Sequence, residues 1–176
     1  MASRKSETHT LVTAAVVSAL GVVILTLGSF IEVLDLSVAV IASLLVAFAV
    51  IELGGKYPYL VYVVTALLSM LLLPVKTAPL AYLLFMGYYP ILKAKLEKCR
   101  MPSLLCWVLK ILIFNAVLAI VVLVAVLVLH VPVPAVWYYW MLPLLTPVFL
   151  LYDVVLSRLV TFYLLRLRDR FRFLKK

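Results

Sequence analysis

Six long apolar stretches, separated by short polar links, constrain this chain more than any motif in it. The hydrocarbon core of a bilayer is about 30 Å thick and takes about 20 apolar residues of helix to cross. The stretches fall at 10–30, 36–53, 57–73, 78–92, 104–129 and 136–165. With 68% hydrophobic and 13% charged residues over 176 positions, the chain has too little polar surface to clothe a soluble globule. The expected fold is an all-α integral membrane protein, a compact bundle of six transmembrane helices forming one domain over 1–176. The fourth stretch is short and implies little tilt or a thinned patch of bilayer. The sixth is long and carries Pro143 and Pro147, which predicts a kink there or an interfacial start.

The basic residues alternate with the spans. Arg4 and Lys5 precede the first, Lys56 lies in the second link, Lys93, Lys95, Lys98 and Arg100 in the fourth, and Arg166, Arg168, Arg170, Arg172, Lys175 and Lys176 at the C-terminus. Six spans put all of these on one side. The other side holds Lys76, with Glu32 and Asp35 in the first link and His130 in the fifth. The positive-inside rule then places both termini in the cytoplasm of a multi-pass plasma-membrane protein. The net charge of +9 needs no nucleic acid, since a basic collar facing anionic headgroups accounts for it and no polar basic domain exists. Membrane lipids are therefore expected partners. Residues 1–9 are too polar for the apolar heart of a cleavable signal, so the first helix is expected to stay.

Catalytic and metal signatures are missing. Cys99 and Cys106 are seven apart with no close Cys or His, and His9 and His130 fall on opposite sides. HExxH, GxSxG, GxxxxGK[ST] and GxGxxG do not occur. No enzyme activity, cofactor or metal is expected.

Few polar residues lie at depth, where burial is costly and purposeful. Lys110 sits about 9 Å along the fifth span at 1.5 Å per residue, within snorkelling reach of the headgroups. Asp153, in the inner half of the sixth, is its candidate partner. The pair reads either as a structural ion pair, Lys110 with Asp153, or as a coupling element to a partner protein. Asn115, near the midplane, is suited to bonding a neighbouring helix. In the first span Ala15 and Ala19 lie four apart, with Ala14 and Ser18 beside them, a small-residue stripe suited to internal or intermolecular packing. Trp137, Tyr138, Tyr139 and Trp140 follow Val131, Pro132, Val133 and Pro134. They read as an interfacial belt or as the roof of a cavity for a flat ligand.

With six spans, both termini inside, a basic tail leading into the Ala15/Ala19 stripe and a Gly54-Gly55-Lys56-Tyr57-Pro58 turn, the chain resembles the S component of energy-coupling factor vitamin transporters. The family's turn carries further glycines into the third helix, and residues 60–73 here contain none. The resemblance implies a cavity open to the outside that binds a small water-soluble solute. A transmembrane coupling subunit and an ATPase pair would supply the energy. On that reading Lys76, Thr77, Tyr82, His130, Trp137, Tyr138 and Trp140 would line the cavity, with Lys76 meeting an anionic group, and Ala15 and Ala19 would face the coupling subunit. The rival reading is a non-transporting scaffold or assembly protein whose basic inner loops bind anionic lipid or a protein partner. Residues 166–176, alternating Arg with Leu and Phe, would then be its working part.

Overall fold

Glycine and alanine decide how the helices meet. The computed structural model describes residues 2–29, 35–98, 103–127 and 135–167, all helix or short turn with no strand among them. The elements are α1 (Ala2–Ser29), α2 (Asp35–Glu52), α3 (Tyr57–Leu72), α4 (Thr77–Ala81), α5 (Tyr89–Lys98), α6 (Ser103–Leu127) and α7 (Ala135–Phe162). A π-helical turn, Tyr82–Met86, continues α4, and another, Tyr163–Leu167, continues α7. The chain forms two compact units, Met1–Lys110 and Ile111–Lys176.

In the first unit α1 packs on α2 and α3. A Cβ on Gly28 would lie 2.3 Å from Val38 Cγ2, and one on Gly21 would lie 2.9 Å from Thr65 Cγ2, so the missing side chains are what let the backbones approach. The Thr65 hydroxyl donates to the Ser18 carbonyl at 3.3 Å, and the Ser18 hydroxyl turns back to the Ala14 carbonyl at 2.8 Å. Ala39, Ala42, Val46 and Ala49 give α2 a buried face at helical spacing, closed from the other side by Val61, Ala66 and Tyr82. The contacts Gly28 to Val38 and Gly21 to Thr65 fix an up-down-up order for α1, α2 and α3.

Two glycines in left-handed backbone, Gly54 at φ +62° and Gly55 at φ +57°, turn α2 into α3. The Leu53 and Gly54 amides both donate to the Ala49 carbonyl at 3.0 Å, which satisfies an acceptor at the end of α2. Pro58, in the first turn of α3, removes an amide that has no intrahelical partner there.

The stretch at 78–92, expected as one span, is segmented into α4, a π turn, the Gly87-Tyr88 turn and the start of α5. Pro90 has no N–H to give the Met86 carbonyl, so one rung of an α ladder is missing here. The Gly87 amide bonds the Tyr82 carbonyl at 2.8 Å instead. The Tyr62 hydroxyl, from α3, bonds the Leu83 carbonyl at 2.7 Å. Gly87 also sits where a Cβ would meet the Tyr62 ring at 2.6 Å.

In the second unit, the Phe114 ring of α6 stacks on Phe149 of α7 with centroids 4.5 Å apart. Phe149, Tyr152, Asp153 and Leu156 make one buried stripe along α7. The helix runs through Pro143 and Pro147 without interruption. Among the described residues, three helices are long and apolar enough to cross a membrane, at Glu7–Ser29, Asp35–Glu52 and Leu144–Arg166. By length and composition this is a membrane protein.

Gly28→Ala should destabilise the first unit by about 1–3 kcal/mol, because the β-branched Val38 has little freedom to yield. Adding Val38→Ala should recover much of the loss. Thermal unfolding in detergent of the two single variants and the double variant measures both effects.

Candidate functional site

Antiparallel packing gives the first unit two chemically different ends. At one end, α2 begins at Asp35 and α4 at Thr77, and the Thr77 hydroxyl donates to Asp35 Oδ2. The other carboxylate oxygen, Oδ1, is buried and has no hydrogen-bond partner among the described residues. Lys76 is exposed, but its ammonium donates to the carbonyls of Met70 and Leu73. These are acceptors that the end of α3 leaves over, and a cation there also suits the helix dipole. The first and third links of the sequence thus meet, although Lys76 is committed to its own helix.

The remaining candidates are dispersed. Tyr82 lies inside the core, wholly buried, with its ring 6.0 Å from that of Tyr62. His130 lies outside the described residues, and Trp137, Tyr138 and Trp140 occupy the first turns of α7. Ala15 and Ala19 are exposed, on a face of α1 shared with Val12, Val16, Val23 and Leu27, whereas Ala14 and Ser18 point inward. The small residues of α1 therefore serve two faces, one packed and one open.

The opposite end is basic. Lys56 precedes α3, and Lys95 of α5 places its ammonium 5.1 Å from the centroid of the exposed Tyr59 ring. Lys93 and Lys110 are both buried, and both approach Glu97, Lys110 at 3.0 Å and Lys93 at 3.8 Å. Lys110 also lies 5.7 Å from the Trp107 ring centroid. Glu97 is half exposed, so it joins two sequestered cations of α5 and α6 to the outside. Sequence reasoning did not single out Glu97, whose local signal is its i, i+4 spacing from Lys93. Asp153 itself is buried on α7, with the Ser157 hydroxyl donating to its backbone carbonyl at 2.8 Å. Asn115 uses its amide on the Ile111 carbonyl of its own helix at 2.8 Å.

A second missed feature is the aromatic cluster around the π turn. Phe85 lies 5.1 Å from Tyr89 and 5.9 Å from Tyr88, and Tyr88 lies 6.3 Å from Tyr62. The Gly87-Tyr88-Tyr89-Pro90 run was its visible signal. Among the described residues no group of three or more His, Cys, Asp or Glu side chains is placed to hold a metal ion. Compared with known proteins, the chain matches no family model, no curated protein and no solved structure.

Lys76→Ala should lower stability by about 1.5 kcal/mol, the small end of the range for a charged hydrogen bond because the ammonium is exposed. Loss of the α3 cap should appear as faster amide exchange at residues 70–73.

Proposed function

We propose that this chain is a six-pass plasma-membrane protein with both termini in the cytoplasm. On this reading it is the substrate-binding membrane subunit of an energy-coupling-factor-type micronutrient transporter, taking a small water-soluble solute from the outer side. The observation that carries the proposal is the outward placement of Ala15 and Ala19 on α1. Lipid-facing positions on this helix are otherwise Leu and Val, and two alanines one turn apart leave a shallow notch that a partner helix fills closely. A transmembrane coupling subunit is the partner, and its ATPase pair supplies the energy. Asp35, Lys76 and Thr77 mark the outer end, and Lys56, Lys95 and Lys98 the cytoplasmic end.

The engagement of Lys76 with the carbonyls of α3 favours a second reading, because that ammonium is not turned toward a solute. In this reading the protein is a membrane scaffold that works through its basic end.

A Val75→Cys thiol, in a chain with Cys99 and Cys106 replaced by Ser, should react with an impermeant maleimide in intact cells. Reaction only after permeabilisation would reverse the orientation. Native mass spectrometry of the gently purified protein should show a retained small solute and a coupling subunit. The double variant Ala15→Trp, Ala19→Trp should lose that subunit and keep the solute. Retention of lipid alone would leave the scaffold as the function.

A further inference from the structure

The exposed face of α3 joins a cationic, aromatic head to an apolar stripe. Lys56 stands one turn before Tyr59, on the same side of the helix, and both are exposed. Lys95 crosses from α5 to hold its ammonium 5.1 Å from the Tyr59 ring centroid. From there Leu60, Val63, Leu67 and Leu71, spaced by three or four residues, continue the same face, and all four are exposed. Leu60 to Leu71 spans about 16 Å at 1.5 Å per residue.

We infer that this face is a binding site for one anionic phospholipid, with its phosphate between Lys56 and Lys95, its glycerol against Tyr59, and an acyl chain along Leu60, Val63, Leu67 and Leu71. The joining of two cations to an exposed apolar stripe selects the occupant. A soluble anion has no use for the apolar stripe, and a zwitterionic lipid brings its own cation to compete with the two lysines. The nearest carboxylate on α5, Glu97, already lies 3.0 Å from Lys110 and 3.8 Å from Lys93. The glycines before Lys56 leave the approach open, since a Cβ on Gly54 or Gly55 would meet nothing within 4 Å. The site belongs to the first unit alone and stands under either reading of the protein's function.

The test uses the full chain in micelles holding equal amounts of phosphatidylglycerol and phosphatidylcholine with the same acyl chains. Native mass spectrometry should show phosphatidylglycerol retained in preference. Lys56→Gln with Lys95→Gln should cut that preference about 30-fold, or about 2 kcal/mol at 1.4 kcal/mol per tenfold. The charge-conserving Lys56→Arg, Lys95→Arg should keep it. An unchanged preference in the Gln variant overturns the site, as does equally effective displacement of the lipid by free glycerol phosphate. On the unaltered chain, phosphatidylglycerol with a photoreactive headgroup should label the peptide around Tyr59, and labelling confined to other segments overturns the site without any variant.

Discussion

The close approach of α1 to α2 and α3 is the constraint on which the first unit depends. Between apolar helices in an apolar solvent, burial of hydrophobic area gives little advantage, because lipid tails are as apolar as leucine. What remains is contact density and a few polar bonds. Gly21 and Gly28 let backbones come near enough for van der Waals packing to be dense, and Thr65 then reaches the Ser18 carbonyl. The alanines of α2 serve the same end from the facing side. Once these three helices are set, the starts of α2 and α4 meet at one end and α3 and α5 meet at the other. The polarity of the unit follows from its packing.

The helical class, the apolar stretches and the glycine turn between α2 and α3 were legible in the sequence, because each depends on local composition. The Lys56, Lys93, Lys95 and Lys98 group was legible too, as a run of charge between apolar blocks. The break in the fourth stretch was not read, although Pro90 and Gly87 were in plain sight. An apolar count sees no difference between one helix and two short ones joined by a π turn. The inward and outward faces of α1 were also hidden. Ala14, Ala15, Ser18 and Ala19 are all small, and a helix that is apolar all round carries no moment to say which pair packs.

The candidate site was less legible than the fold, and the cause is the range of the interactions. Lys76 looked like an open cation because its acceptors are backbone carbonyls, which leave no mark on side-chain identity. Within the first unit Lys110 donates to Glu97, across the link between α5 and α6, and a span-by-span reading of the sequence does not bring that carboxylate forward.

The π turn at Tyr82–Met86 carries a geometric consequence for everything after it. A π turn holds one residue more than an α turn, and each residue of an α-helix advances the azimuth by about 100°. The extra residue, together with the Gly87-Tyr88 turn that follows it, sets the phase of α5. In the phase it has, Ile91 and Lys93 are sequestered and Lys95 swings over Tyr59. Loss of a single residue from 82–86 would rotate those assignments together, so the charge map of this end is written by a backbone irregularity as much as by the lysines themselves.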